Sequence, residues 1–317
     1  MKNILIVRTD RLGDLLMTLP MIRCIKQNYP QSKITLLSNI SNKGLLEDCS
    51  DIDDLEYISE KDRKTFSAKV KIFKMLKAYK FDVAVISNPD KFFHFITWFS
   101  GIPLRVGYNK KSGFYLNKKT KDISSKGDRH QIDCNLDLAY LFCDRKWDGN
   151  IQFTSEHVHS NSSDLKNTHN KKTKVAVHLT TSNPIKEWPI QQFHEVCNSL
   201  KNKGYEIVLI GEKRDNKINS VFNESDGFID LIGKTSLSQL CAVLKGADCL
   251  ISLDSGPYHI AWMQKTPVVG IFIKDALGSN PIRWGVYPGY AKCKQFYDKA
   301  DNITVEHIVD AVEEVIA

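Results

Sequence analysis

Nowhere does this chain of 317 residues carry the roughly 18 to 20 continuous apolar residues of a membrane-spanning helix. Its longest apolar stretches, such as "FITWFS" and "VVGIFI", are far shorter. The opening "MKNILIVRTDR" holds too few apolar residues for a secretory leader, so the expected location is cytoplasmic. Eight cysteines are scattered without a C-x-x-C pair or a Cys/His cluster, which argues for reduced thiols filling core space and against structural zinc. Neither G-x-G-x-x-G nor a Walker A loop follows a strand, and this weakens dinucleotide and ATPase readings. Positive charge is in mild surplus, with 44 Lys and Arg against 37 Asp and Glu.

What the chain does have is α/β periodicity. Apolar content of 42% and charged content of 26% suit a soluble globular protein, and the length suits two domains. "NILIV" (3–7) reads as a buried parallel strand, followed by a helix over about Leu15–Gln27. Strands are expected at 33–38, 55–59 and 82–87. A helix over 68–80 places Val70, Phe73, Leu76 and Tyr79 on one face. The polar stretch from Thr154 to Lys174 reads as a linker, after which the pattern restarts. Strands follow at 175–179, 206–211, 249–254 and 268–273, with helices at 190–202, 236–245, 257–264 and 305–316. The expected fold is α/β, two Rossmann-like domains (1–160 and 172–317) facing across a cleft that holds the site, the last helix free to pack back on the first domain.

Chemistry concentrates at strand ends. In "ISLDSGPYHIAW", Asp254 and Ser255 follow a strand, Gly256 permits a tight turn, and Pro257 suits the first turn of a helix. Free amides at such a helix start bind phosphate, and His259 lies close by. Alternatively Asp254 or Ser255 is a plain helix cap and His259 a surface residue. "VAVHLTTSNPIKEWP" puts Thr180, Thr181 and Lys186 in a loop able to cradle a diphosphate, with Pro189 opening the next helix; a solvated loop lysine is the plainer reading. Glu212, past "VLIG", could take two ribose hydroxyls or be a solvated loop residue. Asp14, in "RTDRLGDLLMTLP", is either a carboxylate base or the cap of a helix starting at Leu15. Asp51 and Asp53 spell D-x-D but precede a strand, and read as a solvated turn rather than a metal site.

Taken together these segments resemble the ADP-heptose:lipopolysaccharide heptosyltransferases, family 9 of the glycosyltransferases. The resemblance is carried by R-x-D-x-[IL]-G-D at the start, "GIPLRVGY", "RHQIDCNLDLAYLF", "HLTTSNPIKEWP", and D-[ST]-G-x-x-H-[IL]-A after a buried strand. It implies the GT-B fold and an inverting, metal-independent transferase, with Asp14 as base and Lys186 neutralising the leaving group. It also implies donor contacts from Thr180, Thr181, Lys186, Glu212, Thr235, Asp254, Ser255, Gly256 and His259. Thr235 stands where some relatives carry methionine near the adenine. No cofactor is implied, since the ADP-sugar is a co-substrate.

Basic residues gather in the first half: the 68–80 helix, Arg105, Lys110, Lys111, Lys118, Lys119, Lys121, Lys126, Arg129 and His130. Such a run is commonly a solvated face. The resemblance implies instead a lipid-linked, acidic core-oligosaccharide acceptor at the inner membrane's cytoplasmic face, with peripheral attachment. Arg11, Gly13, Arg105, Arg129 and His130 are then acceptor candidates, although Arg11 could form a surface salt bridge and Arg105 could be structural. No nucleic-acid motif accompanies the basic patch. Two alternatives stand beside this one: a relative using another nucleotide sugar or a protein acceptor, and a non-catalytic nucleotide-sugar-binding protein.

Overall fold

The computed structural model describes residues 2–63, 65–122, 127–151, 153, 172–276 and 278–317. Lys126 and most of the polar 154–174 segment lie outside them; Lys174 already belongs to a strand. Contacts divide the chain into two compact units, Met1–Thr154 and Ser155–Ala317.

In the first unit the elements run β1 (Asn3–Arg8), α1 (Leu12–Leu16), α2 (Leu19–Asn28), β2 (Lys33–Asn39), β3 (Asp54–Ile58), α3 (Glu60–Arg63), α4 (Phe66–Tyr79), β4 (Val83–Ile86), α5 (Lys91–Phe99), β5 (Leu104–Tyr108), β6 (Lys118–Thr120) and α6 (Gln131–Ala139). Among the described residues its sheet has six strands, ordered β3-β2-β1-β4-β5-β6, with every pairing parallel. The apolar runs are continuous because helices cover both faces. One face, carrying Leu5, Val7, Leu37, Ala84 and Ile86, is covered by Ile72 and Leu76 of α4 and by Phe93 and Ile96 of α5.

Two expectations change here. The helix expected from Leu15 is two helices, interrupted at Met17 and Thr18, with Pro20 near the start of α2. The buried stripe of α4 runs through Ile72 and Leu76, an i, i+4 pair, while Val70, Phe73 and Tyr79 are only half-buried.

The second unit runs β7 (Lys174–His178), α7 (Ile190–Asn202), β8 (Glu206–Ile210), α8 (Asn216–Asn219), β9 (Ile229–Asp230), α9 (Leu237–Lys245), β10 (Cys249–Leu253), α10 (Gly256–Met263), β11 (Val268–Ile273), α11 (Pro281–Trp284), β12 (Cys293–Asp298) and α12 (Val305–Ile316). Its six described strands, again all parallel, are ordered β12-β11-β10-β7-β8-β9. One face buries Val177, Leu209, Ile251 and Ile271 under Phe193 and Val196 of α7 and Ile308 and Val312 of α12. The closing helix therefore spends its apolar stripe on its own unit's core. Across the sheet, α9 and α10 pack together, with α10 against β10 and β11.

Gly270 in β11 shows how tightly α10 is seated. A Cβ there would stand 2.8 Å from the ring of Tyr258, which is fully buried. Gly270→Ala must push Tyr258, and with it the first turn of α10, off the sheet. The expected cost is about 1–3 kcal/mol, measured by denaturant unfolding; an unchanged midpoint would show that α10 is not clamped this way.

Candidate active site

In each unit the strand order reverses beside its first strand, between β1 and β4 and between β7 and β10. Loops leaving the carboxyl ends of those neighbours diverge to opposite faces and leave an open edge between them. Asp14 in the first unit, and Lys186 and Asp254 in the second, meet their partners at these edges.

In the second unit His178 closes β7 opposite Ser252 of β10. Thr180 and Thr181 follow, half-buried. A short turn, Pro184–Lys186, is started by the Asn183 side chain accepting from the Ile185 amide at 3.3 Å. Its far end is fixed by Trp188, whose buried indole donates to the Ile303 carbonyl at 3.2 Å. Pro189 is the residue before α7 rather than inside it. Held this way, the Lys186 ammonium meets Asp254 Oδ2 at 2.5 Å.

Asp254 is buried as the first residue past β10. Its Oδ2 also accepts from Ser279 Oγ at 3.0 Å, and its Oδ1 lies 3.8 Å from His259 Nε2. His259 Nδ1 accepts from the Trp262 indole at 3.3 Å, which assigns the neutral ring's proton to Nε2, facing the carboxylate. His259 is buried, so the surface alternative is set aside. Burying a carboxylate is tolerable only with such partners.

Ser255 precedes α10, yet its hydroxyl does not cap the helix. It turns instead to the Leu253 carbonyl at 3.1 Å and to His178 Nδ1 at 3.0 Å. Burial drives the His178 pKa down to about 4, keeping the ring neutral. The first turn of α10, beginning at Gly256, thus presents its positive dipole end without a side-chain cap, and Pro257 has no N–H to leave unpaired. Glu212 is exposed two residues past β8. Thr235 is half-buried just before α9, whose start is closed by a capping box of Ser236 and Gln239.

In the first unit the buried guanidinium of Arg8 closes β1. It donates to Asp10 Oδ1 at 2.7 Å, to the Ser87 carbonyl past β4 at 2.8 Å, and to Asp14 Oδ1 at 2.6 Å. A single cation therefore ties the two strand ends together and fixes two carboxylates. Asp14 is not a helix cap: α1 begins at Leu12 behind Arg11, and Asp14 sits inside its first turn with its side chain 22% exposed. Asn135 of α6 caps the far end, donating to the Met17 carbonyl at 2.8 Å. Asp10 is held up at about 6, chiefly by burial, which outweighs the pull of Arg8; the negative charge of Asp14 adds to the rise.

Reading the residues alone missed Arg8, Asp10, His178 and Ser279. A signal existed for the first two, since a buried arginine closing a strand must find acids, and positions 10 and 14 are the nearest.

Other candidates are placed differently. Gly13 adjoins Asp14, and Arg11 is exposed before α1. Arg105 is braced against the carbonyls of Tyr115, Ile102 and Pro103 at 2.7, 2.5 and 3.3 Å. Arg129 grips both oxygens of Asp137 at 2.8 and 3.3 Å. His130 is buried and caps α6, its Nδ1 accepting from the Ile132 amide at 3.2 Å. These three do structural work where they stand. The D-x-D pair is a turn but not a solvated one: Asp51 is buried against Arg23 at 3.0 Å, and Asp53 accepts from Lys26 and from the Ile34 amide, both at 2.8 Å.

The family model described as glycosyltransferase family 9 (heptosyltransferase) matches residues 69–299. The chain belongs to that family. Among its relatives, the lipopolysaccharide core heptosyltransferase OpsX of Haemophilus influenzae is 24% identical over 94% of this chain and 85% of its own length. A solved family 9 glycosyltransferase from Veillonella parvula superposes with a TM-score of 0.85 at 21% identity, covering 99% of this chain and 97% of that one. The Escherichia coli heptosyltransferase WaaC, solved with ADP, gives 0.80 at 16% identity over 99% and 100%. The architecture is that of the GT-B heptosyltransferases, and the protein is a glycosyltransferase.

Within this glycosyltransferase the elevated Asp10 has a consequence for folding. The folded state retains a proton that the unfolded chain has released once pH passes about 3.8, and keeps it until about 6. Stability must therefore fall as pH rises through that window. Asp10→Asn, which carries no such proton, is expected to gain on the wild type in thermal unfolding between pH 4 and 6. Parallel pH curves for the two proteins would show Asp10 to be unperturbed.

Proposed function

We propose that this glycosyltransferase is an inverting, metal-independent heptosyltransferase moving heptose from ADP-heptose to the lipopolysaccharide inner core, onto a Kdo–lipid A or heptosyl acceptor. It works in the cytoplasm, peripheral on the inner membrane. The observation that carries the reading is Asp14: a carboxylate held by a buried arginine, still open to solvent, at the strand-order reversal of a family 9 chain. The names of relatives such as OpsX supply the substrate class.

The chemistry divides between the units. In the second, Thr180, Thr181, Lys186 and the start of α10 hold the diphosphate, Glu212 the ribose, Thr235 the base, and the Asp254, Ser255, Gly256 and His259 turn the sugar. In the first, Asp14 takes the proton of the acceptor hydroxyl as its oxygen attacks the anomeric carbon. The bond from that carbon to the β-phosphate oxygen breaks, and ADP leaves with its charge neutralised by Lys186 and the α10 amides. These steps call on one general base and one cationic clamp, both supplied by the chain's own side chains. A single displacement inverts the anomeric centre. Arg8 keeps Asp14 aimed, while Arg11 and Gly13 line the approach of the acceptor.

The test is ADP release from ADP-heptose and from other nucleotide sugars, with and without a deacylated core acceptor. Acceptor-dependent release from ADP-heptose is expected. Asp14→Asn, whose amide oxygen still accepts from Arg8, should lose about 10²- to 10⁴-fold in kcat with donor KM little changed. Full activity in that variant removes Asp14 from the mechanism. Lys186→Gln should weaken donor binding and transfer together, because the lysine meets the diphosphate both before and during bond breaking.

A further inference from the structure

Between residues 66 and 122 the chain holds twelve lysines and arginines against three acids, Asp82, Asp90 and Asp122. That leaves 32 basic and 34 acidic residues elsewhere, so this one segment accounts for the whole positive surplus of the protein. The same segment exposes aromatic rings. On α5, Phe95, Trp98 and Phe99 share one face at i, i+3 and i+4 spacing, 38%, 47% and 56% exposed, while Phe93 and Ile96 on the opposite face enter the core. The turn Gly113–Tyr115 brings Phe114, 73% exposed, and Tyr115 against them.

These rings form one continuous patch. Centroids lie 5.6 Å apart for Phe95 and Phe99, 5.1 Å for Trp98 and Tyr115, and 4.3 Å for Phe114 and Tyr115; Phe73 of α4 joins at 5.3 Å from Phe99. Cations border it. Lys77 stands 5.9 Å from the Phe73 centroid, Lys111 is fixed to the Pro89 carbonyl at 2.5 Å, and Lys118 and Lys119 are exposed on β6 beside the turn. The core gains nothing from leaving such large rings in water, and none of them belongs to the catalytic edge.

We infer that this patch is the element by which the protein seats itself on an anionic lipid bilayer, its rings entering the headgroup region and its lysines meeting lipid phosphates. The inference rests on the lipid-linked acceptor proposed above and names the surface that reaches it. Tryptophan and tyrosine suit the headgroup region because their rings are apolar at one end and polar at the other. Lysines around an apolar face are the usual companions of interfacial helices. A second copy of this chain is the other partner that could bury the rings, but face-to-face pairing would set two like-charged surfaces against each other. No described helix is long and apolar enough to cross a membrane.

The experiment is co-sedimentation of the full chain with vesicles of phosphatidylcholine alone or mixed with phosphatidylglycerol. Binding to the mixed vesicles, weakened by added salt, is expected, with little to phosphatidylcholine alone. The double variants Trp98→Ser/Phe99→Ser and Lys118→Glu/Lys119→Glu should each reduce it by about ten-fold or more. Both should keep transfer to a soluble deacylated acceptor within about two-fold, since surface changes of this kind rarely disturb a fold. Wild-type retention of vesicle binding in the aromatic variant overturns the assignment. So does a wild-type dimer in sedimentation velocity that the aromatic variant dissolves while neither protein binds vesicles. Because vesicles carry no sugar acceptor and the soluble assay needs no lipid, a failed seat and a failed transferase give different results.

Discussion

A parallel sheet whose strand order reverses cannot cover its own carboxyl edge at the reversal, because the connections on either side of it leave toward opposite faces. Both units of this protein are built on that constraint: Arg8, Asp10, Thr180, Thr181, Asp254 and Ser255 lie within three residues of one of the four strand ends involved, while Asp14, Lys186 and His259 reach the same ends from the turns and helices that follow. In the first unit one guanidinium spans the edge by hydrogen-bonding across it to Ser87. In the second the edge is spanned by the ammonium of Lys186 reaching Asp254. Each crossing is a charge-assisted contact with partners that the fold has largely dried, where such contacts are strongest.

The strands were the most legible part of the chain. "NILIV", "VAVHL", "EIVLI", "CLISL" and "VVGIFI" are buried on both faces, and a doubly covered parallel strand has to be apolar throughout. β12, reading "CKQFYD", carries no such signal because it is an edge strand, half wet, whose pairing comes from β11 rather than from its own composition. α5 reads in sequence as a short apolar run, since exposed aromatics erase the polar face by which a surface helix is recognised. The break between α1 and α2 depends on Asn135, over a hundred residues away, and no local pattern could carry it.

Site residues divide on the same line. Asp14, Lys186 and Asp254 announce themselves by type and by position in the segments that link a strand to its next long helix. Their pairings do not, because the angle at which a side chain leaves a strand end is a property of the assembled edge. Arg129 and His130 also serve the architecture: one holds α6 through Asp137 and the other caps it. Sequence alone does not show such engagements, because the partners are brought together only by the fold.

Asp254 meets Lys186, and Ser279 and His259 share the load. Cation and carboxylate at this strand edge therefore offset one another, and a lone small anion finds little unbalanced charge to settle on. Were Lys186 to take a diphosphate as proposed, the ligand would have to exchange itself for the carboxylate while gaining compensation elsewhere, which favours a molecule with several anchors. The internal counter-ion would then weigh against free phosphate before any contact with a sugar is made.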